Sequence, residues 1–347
     1  MGRYIAKRCM YIIAVFILLS FMLFSLYRLM PANRAYTDAK SEIQALKNSI
    51  PASERETKFE ELYLKYQRLY GTDTDNTMIL YLRWLGLYPY YDGKCNGIFQ
   101  GNFGHSYEYN QPVVEMIGPA FRNSVMIGLI AEIFVFAITI PLGILCAVKR
   151  GSRLDRGVQT FSLIGFSTPS FITYIMFILL FASVLRIFPV SGIKTPGSNY
   201  TGLAWIKDTA YYIALPVIAL VFGHLAYNIR ITRASMLDAL SLDCVRTARA
   251  KGLSRNKVIF SHAWRNALIP LVSVFVSSFF GVIYGAIMLE SMFIIKGMGL
   301  MFLSATRAAD YDVIMFIEVI YVFIGLLQNL IIDLCYGIVD PRVRISK

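Results

Sequence analysis

The amino-acid sequence predicts an all-α integral membrane protein, with six transmembrane helices and an extracytoplasmic helical segment between the first and the second. Three observations carry this. Of 347 residues, 56% are hydrophobic and 16% charged, with a mean hydropathy of +0.54. A soluble domain carries about 25% charged residues, so this chain has too little polar surface to cover a globule of its size. The apolar residues come in long runs, and about 20 residues suffice to cross the hydrocarbon layer. The basic residues gather in every second segment between those runs.

The runs span 9–29, 121–148, 158–188, 211–229, 267–289 and 313–338. Each must be helical, because lipid offers no partner for free backbone N–H and C=O groups. The third is long enough to tilt or kink. With the N-terminus in the cytoplasm, four segments lie inside: the N-terminus, the loop from Lys149 to Arg156, the loop from Arg230 to Arg265, and the tail. They hold eighteen Lys and Arg against Asp155, Asp238, Asp243 and Asp340. The two short outer loops hold Lys194, Lys207, Lys296 and Arg307. This is the positive-inside pattern. Segment 32–120 has nine basic and eleven acidic residues, and segments that long translocate largely regardless of charge. The net charge of +12 thus reflects topology and gives no sign of a nucleic-acid partner. Both termini are expected in the cytoplasm of a multi-pass protein of the cell membrane.

The division that follows is 1–30 as the first transmembrane helix, 31–120 as the extracytoplasmic segment, 121–338 as a five-helix membrane domain and 339–347 as a cytoplasmic tail. The first run exceeds the usual 7–15 residues of a signal-peptide core and no A-x-A site follows, so an uncleaved span is expected. Of Cys9, Cys95, Cys146, Cys244 and Cys335, only Cys95 falls outside the cytoplasm and the spans. No internal disulfide is expected, and the spacings do not resemble a zinc site.

In the outer segment, Ser53 and Glu56 match a capping box. Phe59, Leu62, Tyr66 and Leu69 recur at helical spacing, and Gly71 is placed to end that helix in a left-handed conformation. A weaker helical stretch covers 37–48. Residues 86–112 read as irregular loop.

Within the spans, ionisable and helix-breaking residues stand out. A charge at mid-membrane costs about 2.5–3.5 kcal/mol on insertion scales. Glu132 in the second run therefore faces either a solute pathway or a structural partner, and Glu318 in the sixth raises the same question. Pro169, with Ser170 after it, frees a carbonyl and kinks the third run, either to shape the translocation pathway or as architecture alone. Its neighbours Ser167 and Thr168 are placed to re-satisfy the freed groups. Gly281 and Gly285, four apart, form a flat strip for contact with a helix of this chain or of another subunit. Of the histidines, His105, His224 and His262, none has a nucleophile or metal partner in an adjacent turn. This argues against an intramembrane enzyme.

The inner loop at about 238–266 is the most informative segment. It reads helix, glycine stop at Gly252, short helix, and re-entry at Pro270, with Ser254 as N-cap of the second helix. A rigid helix pair hung below two spans is suited to pass force to a cytoplasmic motor; a basic loop held to anionic lipid is the alternative.

Here a resemblance becomes specific. Arg246-Thr247-Ala248-Arg249-Ala250-Lys251-Gly252-Leu253, followed by Arg265-Asn266-Ala267-Leu268-Ile269-Pro270, resembles the ATPase-coupling loop of the dipeptide/oligopeptide/nickel ABC permease family. Permeases generally read Glu-Ala-Ala, three residues, then Gly. Here Arg246-Thr247-Ala248 stands in that place, as in the peptide branch, and Gly252 matches the glycine. Gly101-Asn102-Phe103-Gly104, Pro141-Leu142-Gly143, Leu154-Asp155-Arg156, Pro189-Val190-Ser191-Gly192 and Asp340-Pro341-Arg342 agree in the same order. The resemblance covers most of the chain, best over 97–347. Three stretches depart from it, all toward the outer side: Ala32-Asn33-Arg34 where Gly-Asp-Pro is usual, Ile295-Lys296-Gly297 in place of a Trp-Pro pair before glycine, and Asp312 where proline is usual.

The resemblance implies the fold of a type I ABC importer permease. It implies a second homologous permease subunit, two ATP-binding subunits that hold ATP and Mg, and an extracytoplasmic solute-binding protein. It also places Glu290 beside the outer gate of the translocation pathway. The chain has no G-x-x-x-x-G-K-[ST] loop, so ATP is expected on separate subunits, with no cofactor or metal in this chain. Peptide is the expected solute, with nickel or another small solute on the same machinery as the alternative. An ion-coupled secondary transporter would show internal repeats and broken helices at matched positions, and neither is clear here.

Overall fold

The computed structural model describes residues 2–29, 34–46, 51–106 and 108–339. Helices dominate these residues, and the one isolated extended pairing among them is His105 with Pro112. Five helices are long and apolar enough to cross a membrane, and a sharply bent pair makes up to a sixth span. The chain divides into two compact units, Met1–Met116 with Ser304–Phe323, and Ile117–Leu303 with Ile324–Lys347.

In the first unit, α1 (Gly2–Arg28) is about 40 Å long at 1.5 Å per residue. Met10, Ile13, Leu18, Met22 and Leu26 on it are exposed, the distribution expected of a helix solvated by lipid. Its polar Ser20 is buried and shares a 2.6 Å hydrogen bond with the Tyr81 hydroxyl. Phe21 and Phe24 pack edge-on against the same ring.

After α1 comes a hairpin of α2 (Arg34–Ala45) and α3 (Arg55–Leu69). Leu62 is buried between them, whereas Leu69 is exposed. Two phenols cross the hairpin: Tyr66 donates to Glu42 at 2.5 Å and Tyr70 to Asp38 at 2.6 Å. The bond to Glu42 pushes the Tyr66 phenol up to about 12, and burial followed by the bond to Asp38 does the same for Tyr70. Both phenols therefore stay neutral donors across the physiological range. Gly71 takes a positive φ of 65° after the helix, as expected. The capping box does not form: Ser53 lies in a 3-10 turn, and Glu54, at the N-cap of α3, makes no side-chain cap. The turn satisfies the chain start by its own Glu54 N–H to Pro51 O bond.

A helix that periodicity did not isolate follows, α4 (Thr77–Leu85). Asn76 caps it, accepting from the Met78 and Ile79 amides at 3.0 and 3.3 Å, and Gly86 ends it at φ 84°. Arg83 on it is buried; it donates to Gly71 O at 2.8 Å and pairs with Asp73. Residues 86–112 are largely irregular, as expected, with one 3-10 turn at Ile98–Gln100.

The second unit holds most of α5 (Val113–Val148). Next comes α6 (Arg153–Ser167), which Ser152 caps through the Asp155 amide. It meets α7 (Ser170–Phe177, continued by a π-helical stretch to Val184) at an angle of 101°. The expected kink is thus a break. Proline lacks an N–H and pushes the residue before it out of the helical region, and Thr168 accordingly sits at ψ 123°. The Thr168 hydroxyl donates to Ile164 O at 2.9 Å, a carbonyl that the Thr168 amide already reaches at 3.1 Å, so this bond is not the expected replacement at the carbonyl that Pro169 frees, that of Gly165.

Helix α8 (Gly202–Ser241) runs 40 residues, about 60 Å, far beyond the apolar run inside it. It is followed by α9 (Asp243–Ala250) and α10 (Arg255–Lys257), which passes through a π-helical stretch into α11 (Arg265–Tyr284). Short α12 (Ile287–Met292) and α13 (Met298–Ala308) lead to α14 (Tyr311–Val339). Two apolar clusters hold the second unit together. One joins Ala131, Leu215, Leu289 and Phe293; the other joins Met236, Val245, Ala263 and Ala267 beneath the inner loop.

Glycines set several close approaches in this unit. Gly285 ends α11 at φ 74° and so lies outside the helix; a Cβ there would come within 2.6 Å of the Gly299 amide, while one at Gly281 would meet no described atom of this chain within 4 Å. Between helices, a Cβ at Gly143 would come within 2.7 Å of Thr232, and one at Gly128 would meet Val282 at 2.6 Å.

Candidate functional site

Two places in the second unit concentrate function-bearing residues. The first is the elbow of α9 and α10. Val245 and Ala248 of α9 are buried in the apolar cluster, and Leu253 packs against it. Arg246, Thr247, Arg249, Ala250, Lys251 and Gly252 are exposed. One face of α9 therefore docks on the bundle, and the opposite side of the elbow presents three cations around three small residues. Ala248 faces inward, so the small surface comes from Thr247, Ala250 and Gly252. Gly252 has φ 75° and its amide bonds to Arg249 O at 3.0 Å, which closes the helix and turns the chain. Ser254 occupies the N-cap position of α10 without a side-chain cap; its carbonyl accepts from Val258 instead. The surface pair Arg246–Asp243 is 3.5 Å long and well exposed, and such pairs contribute at most about 1 kcal/mol.

A buried ion pair sits near this elbow on α6 and α8. Arg233 donates twice to Asp155, at 2.6 and 2.9 Å, and the Gly151 amide donates to the same carboxylate at 2.9 Å. Bidentate pairing of this kind fixes orientation as well as charge.

The second place is a cavity of about 350 Å³ between α5, α7, α8, α11 and α12. Glu132, Glu290, His224, Ser124, Gly281 and Gly285 line it with apolar neighbours. Glu132 is 3% exposed and its Oε1 lies 2.8 Å from His224 Nδ1. Its Oε2 is buried with no hydrogen-bond partner among the described residues. Glu290 is 2% exposed and fully engaged. Its Oε1 accepts from Ser124 Oγ at 2.7 Å and from the Ala286 amide at 3.1 Å, and its Oε2 from the Leu300 amide at 2.8 Å. Gly285, Gly297 and Gly299 crowd round this nest so closely that a Cβ on any of them would come within 2.7 Å of a neighbouring atom. Ser124 accepts in turn from the Met298 amide at 2.7 Å, and Asn123 donates to Lys296 O at 2.9 Å.

Residues 139–345 match the family described as binding-protein-dependent transport system inner membrane component. The chain is 34% identical over 259 residues to the oligopeptide transport system permease protein OppB of Haemophilus influenzae, covering 74% of this chain and 81% of that protein. It is 35% identical over 279 residues to the Bacillus subtilis oligopeptide permease AppB, covering 79% and 83%. With the Escherichia coli dipeptide permease DppB it shares 37% over 268 residues, 72% of this chain and 79% of the relative. The chain belongs to this family of inner membrane permeases. A solved structure of the MetNI methionine ABC transporter in inward-facing conformations overlays on it with a TM-score of 0.50 at 16% identity, covering 65% of this chain and 97% of that one. The fold is that of an ABC importer permease.

Against this permease fold, the predicted site residues fall into three groups. Arg246 to Leu253 form one continuous elbow. Glu132, Glu290, Gly281 and Gly285, far apart in sequence, come together around the cavity. Pro169 and Ser170 sit exposed at the α6–α7 break, and Glu318 belongs to the first unit; none of the three lines the cavity. His224, Asn123 and Ser124 are functional candidates that sequence reasoning passed over. A histidine in one apolar run and a glutamate in another was the available signal for the Glu132–His224 pair. Nothing in the sequence marked Ser124.

Proposed function

We propose that this chain is the permease subunit of a peptide importer. It forms half of a translocation pathway with a second homologous permease, takes solute from an extracytoplasmic binding protein, and is driven by two separate ATP-binding subunits. Both termini lie in the cytoplasm. The relatives named oligopeptide and dipeptide permeases support peptide as the solute class.

The observation that carries the coupling role is the α9–Gly252–α10 elbow. Its inner face is anchored by Val245 and Ala248, and its outer face is left open, with cations round a small-residue surface. A motor subunit seated there would move α9 as a rigid lever, because α9 shares its apolar cluster with Met236 of α8 and Ala267 of α11. Arg246, Arg249 and Lys251 supply donors for acidic groups on that subunit. The cavity around Glu132 and Glu290 lies on the translocation pathway.

Gly252 tests the coupling. A Cβ there meets no described atom of this chain within 4 Å, so within the chain substitution acts through the positive φ, and Asn controls for added bulk at the docking surface. A β-branched residue is costly in that region, whereas Asn tolerates it. Gly252→Val is expected to cut solute-stimulated ATPase activity and uptake about tenfold, the factor supplied by 1.4 kcal/mol of strain. Gly252→Asn is expected to retain most of both. Purified complex in lipid nanodiscs, assayed with binding protein and a dipeptide, gives the comparison. Full activity of Gly252→Val would remove the elbow from the transmission path.

A further inference from the structure

We propose that Glu132 and His224 form a receiving site for a protonated amine, the charged N-terminal end of a solute such as a peptide; the amine's source rests on the peptide reading above. Three observations point to a cationic ligand. The cavity lining carries two carboxylates and, among the described residues, no Lys or Arg. The two carboxylates are differently placed. Glu290 has both oxygens occupied by donors from its own fold, so its charge is spent on structure. Glu132 has one oxygen on His224 and the other, Oε2, buried without a partner.

A buried acceptor left empty costs about 1–3 kcal/mol, more when charged. A group that brings its own N–H donors and a positive charge relieves that cost; an anion or an apolar group does not. The His224 ring, 2.8 Å from Oε1, orients the carboxylate. The volume fits the same assignment. About 350 Å³ is near the lower end of ligand pockets, which run from about 300 to 1,000 Å³. It admits the amino-terminal part of a peptide rather than the whole of a long one. Ile127, Leu220, Val282 and Leu289 supply apolar wall around the polar groups, the usual mixture for a small-molecule site.

The chemistry is that of a primary ammonium, which an α-amino group or a lysine side chain supplies. The site does not need to hold the solute tightly, because a pathway must also release it. Its role is to favour one end of the solute in the membrane, where a bare charge is expensive.

Gly281 provides the probe. It lines the cavity and a side chain there has room. Gly281→Cys is introduced into a complex whose native cysteines are replaced. The purified complex in nanodiscs is treated with aminoethyl, sulfonatoethyl and methyl methanethiosulfonate, and each rate is divided by its rate with free cysteine. The cationic reagent is expected to be favoured over the anionic one about tenfold or more, the lower end of what a charged low-dielectric cleft does to local counter-ion concentration. Glu132→Gln, which keeps an acceptor for His224, is expected to abolish most of that preference while assembly stays normal. Dialanine is expected to slow the methyl reagent, N-acetyl-dialanine not to, and N-acetyl-dialanyl-lysine, which restores a primary ammonium, to slow it again. Equal rates for the charged reagents, a preference that survives Glu132→Gln, or a thiol that no reagent reaches in any nucleotide state would each overturn the proposal. If the cationic preference holds but the complex takes up no peptide, the amine site stands and the peptide reading falls.

Discussion

Glu290 and Glu132 are both buried acids in the same cavity, and their hydrogen bonds assign them different work. Glu290 holds the chain reversal between α11 and α13 by accepting from Ser124, Ala286 and Leu300. All three partners are donors, so an amide nitrogen in place of either carboxylate oxygen would face an N–H or O–H head-on. Hydrogen bonds to a charged group contribute about 1.5–3 kcal/mol each. Glu290→Gln is therefore expected to destabilise the assembled permease by at least about 1–3 kcal/mol, read as a lower midpoint in a thermal melt of the purified complex. Glu132→Gln is expected to leave that midpoint near wild type, since one acceptor for His224 remains. Equal losses from the two substitutions would show that both acids are structural. Two departures from the family pattern also meet at this scale: Arg34 and Asp312 form an ion pair at 3.5 Å, and Asp312 accepts from the His105 amide at 3.1 Å. Where the usual proline would offer no acceptor, this chain ties the start of α14 to the outer segment.

At the scale of the helices, glycine placement decides which pairs approach. A Cβ at Gly143 would lie 2.7 Å from Thr232 and 3.3 Å from the Arg233 amide. Arg233 in turn clamps Asp155 of α6, so a shift of α8 there disturbs the α6 anchor as well. Overpacking costs typically about 1–3 kcal/mol. Gly143→Ala is expected to lower the yield of assembled complex severalfold, and Gly281→Ala to leave it unchanged because its Cβ meets no atom within 4 Å. Detergent extraction and size-exclusion chromatography of both variants make the comparison. The reverse ranking would place Gly281 against a subunit absent from this chain. The break at Pro169 belongs to this scale too. Periodicity and a proline announce a bend, but nothing local to Thr168 and Pro169 specifies 101°; that angle follows from how α6 and α7 each pack on α8.

For the molecule as a whole, the buried and exposed sets are inverted relative to a soluble protein. Exposed residues include Ile13, Leu18, Phe134, Leu163 and Met176, while Glu132, Asn123, Ser124, Asp155, Thr232 and Glu290 are buried. Lipid accepts the first set and offers nothing to the second, so polar groups turn inward and find one another. The clustering of Lys and Arg in alternate loops predicts the orientation. Single cysteines placed at Asp75 and Arg255, both exposed, are expected to react with an impermeant maleimide from outside and only from inside, respectively, in intact cells and inverted vesicles. Labelling of both from the same side would end the topology.

The sequence alone determined what depends on local composition and period: a helical membrane protein, its apolar runs, the glycine stop at Gly252, and the family of transporters; the bias of Lys and Arg gives an expected sidedness. These are properties of contiguous residues, because a span, a charge bias or a glycine stop acts within its own segment. It also marked Glu132 as an anomalous charge within a span without saying why, and the resemblance set Glu290 by the outer gate. Only the tertiary structure decided that the two acids share a cavity, that one is saturated and the other is not, and that His224 completes the unsaturated one. It alone added Gly128 and Gly143 as places of close helix approach within the chain, and set Ala248 facing inward. Each of these depends on which side chain from a distant helix comes within about 3 Å, the hydrogen-bond range, and no spacing within one helix encodes that.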